Sequence, residues 1–263
     1  MGFGSRGDVV RYETIVYQKR GQIVGITLNR PKVNNAINIR LVEELLDICS
    51  EVSQDEDVRV VTITGAGKAF CVGTDWSGFP PPETVQTKLW SVATAVAKLD
   101  CPVIAAINGD AIGQGLELAL ACDLRIAVGT ARLGLPQIIS GLIPWDGGTQ
   151  HLPRLVGRAK AMEMILLGES ISAEEAYRVG LVNKVVTLEE LSLVVADMAQ
   201  GIASKAPVAV KYAKEAVEKG LALTLEQGLR LEADLYLLLH ATKDRTEGIT
   251  AFREKRQPKF KGK

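Results

Sequence analysis

Asn108-Gly109-Asp110-Ala111-Ile112-Gly113-Gln114-Gly115-Leu116-Glu117-Leu118-Ala119-Leu120-Ala121-Cys122-Asp123 joins a strand end, a glycine turn and a helix start, and sets one carboxylate in an apolar run. The preceding Pro102-Val103-Ile104-Ala105-Ala106-Ile107 is apolar and bounded by Pro102 and Asn108-Gly109, which reads as a short buried strand. A helix is predicted to begin near Gln114. Gly113 and Gly115 let the backbone turn tightly and approach a ligand. The first-turn N–H groups lack partners within the helix and sit at its positive end. Such a place suits a developing oxyanion. Glu117 lies one turn in, between leucines and alanines that would raise its pKa and fit it for general acid or base work. The other reading of this stretch is a glycine turn packing helix on strand, with Glu117 at the surface.

Outward from this stretch, residues 22–28, 58–64 and 124–128 read as strands. Residues 39–54 read as a helix bearing Leu41, Leu45, Leu46, Ile48 and Val52, and 88–99 as another. Strands and helices alternate, as in a layered α/β core. Phe79-Pro80-Pro81-Pro82-Glu83-Thr84 is a stiff linker that cannot start a helix. Beyond Gly147 the pattern turns helical, at 159–167, 172–179, 188–205, 208–220 and 224–239. Ser172 and Glu175 are spaced as a capping box, and Gly180 closes that helix.

The 263 residues are 47% hydrophobic, enough for a substantial core in one large domain or a domain with a helical appendage. With 31 basic and 31 acidic residues the formal net charge is zero, so no global field points to nucleic acid or an anionic membrane. Cys49, Cys71, Cys101 and Cys122 form no disulfide framework and read as structural thiols in a reducing compartment. Cys71 has only His151 and His240 in the chain to activate it, and no His/Cys pair has zinc-ligand spacing. No apolar stretch approaches the roughly 18 to 20 residues a membrane span needs. Met1-Gly2-Phe3-Gly4-Ser5-Arg6-Gly7-Asp8 lacks the apolar run of a secretory signal, and the cytoplasm is the expected location.

A second glycine loop follows the 58–64 strand: Gly65-Ala66-Gly67-Lys68-Ala69-Phe70-Cys71-Val72-Gly73-Thr74-Asp75. Together with Asn29-Arg30-Pro31, the Gly113 to Ala119 motif and Gly141-Leu142-Ile143-Pro144-Trp145-Asp146-Gly147-Gly148-Thr149-Gln150, it resembles the crotonase (enoyl-CoA hydratase/isomerase) superfamily in order and spacing. The likeness runs from about Tyr12 to about Lys261, although these motifs serve many reactions. It implies an α/β fold, a crotonase-like spiral of ββα units, with a core over 1–200 holding the CoA and catalytic site. Residues 201–263 would then form a C-terminal helical trimerisation region with a CoA-contacting tail.

The resemblance also implies site roles. A CoA thioester carbonyl would accept hydrogen bonds from the backbone N–H groups of Thr74 and Gln114, and losing one such donor typically costs on the order of 3 kcal/mol. Thr and Gln stand where relatives often carry Ala or Gly, which main-chain donors tolerate, and their side chains would narrow the pocket. Ala36, Ala69, Val72, Asp75, Gly113 and Pro136 fall on substrate-contacting positions. Lys32 and Val33 would meet the adenine and pantetheine. Phe252 and Lys255, in a basic tail interleaved with aromatics, would lie near the CoA 3′-phosphate. No resident cofactor is expected, since CoA arrives as part of the substrate.

This chain departs from the family at the catalytic acids. Typical hydratases use two glutamates, at the Glu117 position and in a Leu-Pro-Glu stretch, but here the latter reads Leu135-Pro136-Gln137. Gln137 cannot exchange a proton; its amide can hold a water or a substrate oxygen. Two readings of Asp146 stand open: a substitute acid, or a turn residue capping the helix that starts at Gly147. Trp145 and Trp76 would favour a compact or ring-shaped acyl group, or else pack in core or against a neighbouring subunit. The reaction implied first is hydration of an α,β-unsaturated acyl-CoA, with Glu117 activating water. Double-bond isomerisation, which needs one base only, comes second. A different class is a CoA-binding relative without activity, or one that binds RNA. Leu225, Leu229, Leu231, Leu235, Leu238 and Leu239 exceed what one helix buries on its own chain, and a homotrimer or dimer of trimers is expected.

Overall fold

The computed structural model describes residues 9–78 and 91–263. Its strands are β1 (Val9–Arg11), β2 (Ile15–Arg20), β3 (Ile23–Leu28), β4 (Val60–Gly65), β5 (Ala69–Cys71), β6 (Val103–Ile107), β7 (Asp110–Ile112), β8 (Leu124–Val128), β9 (Arg132–Gly134), β10 (Ser170–Ser172) and β11 (Lys184–Val186). Its helices are α1 (Ile39–Gln54), α2 (Val92–Ala97), α3 (Gln114–Leu120), α4 (Gly148–Leu167), α5 (Ala173–Arg178), α6 (Leu188–Ala203), α7 (Pro207–Gly220), α8 (Leu225–Leu239) and α9 (Lys243–Arg253).

Two sheets divide the work. The larger has the order β1-β2-β3-β4-β6-β8-β11, antiparallel as far as β3 and parallel from there on. Parallel neighbours need a crossover, and α1 supplies it between β3 and β4. Asn38 caps α1 by accepting from the Leu41 N–H at 3.0 Å, and Leu41, Leu45, Ile48 and Val52 are buried along one face. Every residue of β6 is buried, as a central parallel strand covered on both faces requires. The register sets Ile26 beside Ile63 and Ile63 beside Ala105. The smaller sheet runs β10-β9-β7-β5. Both β5–β7 and β7–β9 are parallel, and the first pair aligns Ala69 with Asp110 and Cys71 with Ala111, so the loops leaving β5 and β7 emerge side by side.

The 39–54 and 124–128 readings coincide with α1 and β8, and the reading of a helix near Gln114 with α3. Elsewhere the chain differs. Over 159–167 the pattern predicts one helix, whereas α4 starts at Gly148 and breaks at Gly157 (φ 77°, ψ 161°) into two helical segments. The start agrees with the helix expected from Gly147 in the capping reading of Asp146; Pro153 and Gly157, which read as breakers, hide its continuation to 158. At α5, Ser172 accepts from the Glu175 N–H at 3.2 Å, but the Glu175 carboxylate turns to Arg178 and Lys160. Only half of the predicted capping box therefore forms there. Full boxes stand at Thr187 with Glu190 and at Thr224 with Gln227. The N-terminal octapeptide, the 79–84 linker and the start of the 88–99 helix lie outside the described residues. Among the described residues no single helix is long and apolar enough to cross a membrane.

Candidate active site

The site is built where the loops after β5 and β7 meet the start of α3. Gly113 takes φ 57° and ψ −128°, a turn that glycine alone adopts easily, and its N–H donates to the Gly134 carbonyl at 2.8 Å. Gly115 serves a different need: a Cβ there would sit 2.1 Å from the Cys71 carbonyl oxygen, so the first turn of α3 rests directly on the backbone of β5. Gly73 lies against Gly113, where an added Cβ would be 3.7 Å from the Gly113 Cα and 3.4 Å from the Gln114 nitrogen. The two loops thus touch main chain to main chain. Thr74 pairs with Ile37 in an isolated parallel bridge. Ile37 N–H donates to Gly73 at 2.7 Å and Asp75 N–H donates to Ile37 at 2.8 Å, which directs the Thr74 N–H away from Ile37.

Glu117 follows within the first turn of α3 and is fully buried. Its Oε1 accepts from the N–H groups of Asp146 (2.8 Å) and Gly148 (2.9 Å), and its Oε2 from the Gln137 amide (3.0 Å). Gly148 is what permits this approach, since a Cβ on it would lie 2.9 Å from Glu117 Oε1. Burial pushes the Glu117 carboxyl up to about 7. Its hydrogen-bond donors oppose the rise and the Asp146 charge adds to it. The surface reading of Glu117 is thereby excluded. Gln137 belongs to a 3-10 turn, Pro136–Ser140, with Pro136 at its first position. Its Oε1 is buried without a hydrogen-bond partner among the described residues.

The reading of Asp146 as the cap of its own helix is corrected by its surroundings. The side chain is buried and accepts from Ser91 Oγ, from the Ala93 N–H at 3.2 Å and from Gln114 Nε2 at 3.0 Å. It therefore caps the start of α2 and not that of α4, whose Gly148 N–H is taken by Glu117 instead. Burial holds its carboxyl above the ordinary range. With these donors engaging it, the carboxylate is occupied in structure, and only its main-chain N–H reaches Glu117. Gln114 Oε1 accepts from Thr74 Oγ1 at 2.9 Å. The Gln114 side chain is thus folded into the protein, with 1% of its surface exposed, and does not narrow a pocket.

Several residues of the site were not singled out in the sequence. Buried Asn35 (φ 58°) donates through Nδ2 to the carbonyls of Ala66, Ala69 and Phe70 and accepts from the Arg30 N–H at 2.9 Å, clamping the glycine loop to β5. Arg30 reaches the Ala36 carbonyl and pairs with Asp75 at 2.8 Å. Ser77 first, then Arg30, holds the Asp75 carboxyl below its usual range. The signal available was Asn34-Asn35 itself, because asparagine tolerates the left-handed conformation both residues adopt.

The other predicted positions are spread more widely. Ala36 and Ala69 are buried, and the Val72 N–H donates to the Asn34 carbonyl at 3.2 Å. Lys32 and Val33 are exposed on a 3-10 turn, Pro31–Val33. Trp145 is half-buried beside Asp146, and Trp76 is 60% exposed. Phe252 and Lys255 are exposed at the end of α9. Among the described residues no hydrogen bond or ion pair joins them to the 29–36 loop. Burial pushes the Cys71 thiol up to about 12, which leaves it inert as a nucleophile. Among the described residues no three His, Cys, Asp or Glu side chains gather to hold a metal ion.

Paired parallel loops presenting backbone beside a buried, elevated carboxyl define a site for stabilising an anion while moving a proton. The chain belongs to the enoyl-CoA hydratase/isomerase family, whose sequence pattern matches residues 18–263. It is 39% identical to a crotonyl-CoA hydratase of Syntrophomonas wolfei, covering 95% of this chain and 98% of that one. It is 41% identical to an (E)-benzylidenesuccinyl-CoA hydratase of Thauera aromatica, covering 94% and 99%. The crystal structure of an enoyl-CoA hydratase from Bacillus anthracis superposes with a TM-score of 0.93 at 42% identity, over 95% of this chain and all of that one.

Proposed function

We propose that this protein adds water across the double bond of an α,β-unsaturated acyl-CoA. The observation that carries the reading is Glu117, buried at a pKa of about 7, one turn into the helix that starts where the β5 and β7 loops touch. The thioester oxygen is held by the N–H groups of Thr74 and Gln114. The water bonds to both the Glu117 carboxylate and the Gln137 amide, which touch each other directly at 3.0 Å. Ionised Glu117 takes one proton as the water oxygen bonds to Cβ, and the enolate charge collects on the held oxygen. The proton on Glu117 then passes to Cα, which returns the carboxylate and balances the addition. Gln137 orients the water and exchanges no proton. Asp146 holds Glu117 through its N–H and transfers none either.

Relatives named as hydratases at about 40% identity over nearly the whole chain support this chemistry. The lack of a second glutamate at Gln137 favours isomerisation as the alternative, in which Glu117 removes and returns a proton without water. Half-buried Trp145 supports a compact or cyclic acyl group. CoA enters and leaves with the substrate, its nucleotide end near Lys32, Val33, Phe252 and Lys255, and no resident cofactor takes part. Leu225 (80% exposed), Leu229, Leu237 and Leu238 on α8 support a homotrimer or a dimer of trimers.

Incubation in H₂¹⁸O with linear and cyclic enoyl-CoA thioesters, with Glu117→Gln as control, tests the reading. A labelled hydroxyacyl-CoA is the expected product. A shifted double bond without label establishes the isomerase instead. Turnover of linear crotonyl-CoA many times faster than any cyclic thioester overturns the assignment of acyl shape.

A further inference from the structure

The side chains of Thr74 and Gln114 play no part in a mechanism that uses only their main-chain N–H groups, yet they are bonded to one another. Thr74 Oγ1 donates to Gln114 Oε1 at 2.9 Å, Gln114 Nε2 donates to Asp146 Oδ2 at 3.0 Å, and Asp146 is fixed in turn by Ser91 Oγ and the Ala93 N–H. The chain of bonds runs from the loop after β5, across the first residue of α3, to the start of α2. It then turns back, because the Asp146 N–H donates to Glu117 Oε1 at 2.8 Å. Gln114 and Asp146 are 1% and 2% exposed, so these bonds form away from competing water.

The geometry points to a clasp: the Thr74 hydroxyl, the Gln114 amide and the Asp146 carboxylate act as positioning groups that orient the two main-chain donors toward one oxygen and tie that orientation to the aim of Glu117. Three features carry this. Each end of the first hydrogen bond belongs to a residue whose own N–H is a donor of the proposed hole, so rotating either peptide plane strains the bond. Gln114 uses its oxygen toward Thr74 and its nitrogen toward Asp146, which fixes the amide in one orientation. Asp146 joins the clasp by its side chain and holds the base by its backbone, so one residue transmits displacement between them. The inference rests on the proposed oxyanion role of the Thr74 and Gln114 N–H groups. It goes beyond that role by assigning work to the side chains.

The test uses Thr74→Val, which keeps volume and main chain but removes the hydroxyl, Thr74→Ser, which restores it, and Gln114→Ala. Two readouts are combined: kcat and KM with crotonyl-CoA, and the carbonyl stretch of bound ¹³C-labelled thioester by difference infrared spectroscopy. The clasp predicts that kcat falls 10- to 100-fold in Thr74→Val and in Gln114→Ala while KM moves less than about 3-fold. The carbonyl shift seen with wild type should shrink in both, and Thr74→Ser should recover shift and rate. The double variant should be no worse than Gln114→Ala alone, since Gln114→Ala already removes the bond that Thr74→Val breaks. An undiminished carbonyl shift in Thr74→Val and Gln114→Ala overturns the clasp, as does a Thr74→Ser variant as impaired as Thr74→Val. Absence of any carbonyl shift in the wild type overturns the oxyanion role and the clasp with it. A shift that responds as predicted in a protein that adds no water to any thioester supports the clasp and sinks hydration.

Discussion

Replacing Glu117 with Gln is expected to stabilise the protein at neutral pH while abolishing turnover. The carboxyl's ordinary value of 4.5 rises to about 7 in the folded chain, chiefly through burial, so the folded state binds this proton more tightly than the unfolded chain does. The resulting stability is fully present below pH 4.5 and is lost as pH rises through 7. A rise from 4.5 to about 7, at roughly 1.36 kcal/mol per unit, amounts to about 3 kcal/mol. Gln carries no charge at any pH and keeps an oxygen for the N–H groups of Asp146 and Gly148. Its NH₂ faces the Gln137 amide, which can flip to present its unbonded Oε1. Urea melts of both proteins from pH 5 to pH 8 measure the difference. The variant should lead by about 1 kcal/mol at pH 5 and about 3 kcal/mol at pH 8, with the gap opening between. Equal stability at pH 8, or a gap that does not change with pH, would refute the reasoning: the ionised carboxylate would then be held without strain in the folded state.

Activity should follow the same group. In the wild type kcat/KM is expected to climb tenfold per pH unit below about 7 and to level off above it, and a profile flat from pH 5 to pH 8 would remove Glu117 as the base. Gly148→Ala places a methyl 2.9 Å from Glu117 Oε1 and 2.8 Å from Pro144 Cβ, so the carboxylate must swing away from the Gly148 N–H. Loss of that charge-assisted bond should cost about 1.5–3 kcal/mol and lower kcat about 10- to 100-fold, measured by steady-state hydration kinetics.

Much of the site was legible because it lies in contiguous motifs. Gly113, Glu117 and the 65–75 loop can be read from one stretch each, and α1 from the regular spacing of Leu41, Leu45, Ile48 and Val52. What escaped was of two kinds. Strands such as β5, β7, β9 and β10 span three residues each, too few for alternation to register, and together they form the sheet that carries the site. Helix α9 escaped because its residues are largely polar and show no apolar stripe. The other kind is long-range pairing. Ser91 lies 55 residues from Asp146 and Asn35 lies 35 from Phe70, and nothing in either local sequence announces its partner. Asp146 is the sharpest instance: read locally it caps its own helix, yet the fold delivers it to another.

The adjacency of β5 and β7 bears on how this protein can change. Neighbouring strands lie about 4.8 Å apart whatever side chains they carry, so the loops that leave them start from a spacing set by the backbone itself. On the proposed function, a thioester grip founded on that spacing is inherited with the fold. On the same proposal, Gln137 and Trp145 are positions whose exchange redirects what happens to the acyl group while the handle for CoA esters stays in place. For anyone seeking new chemistry in this scaffold, the substitutions to randomise are those facing the acyl group. Gly115, with the Cys71 carbonyl oxygen 2.1 Å from where its Cβ would be, is the position to leave untouched.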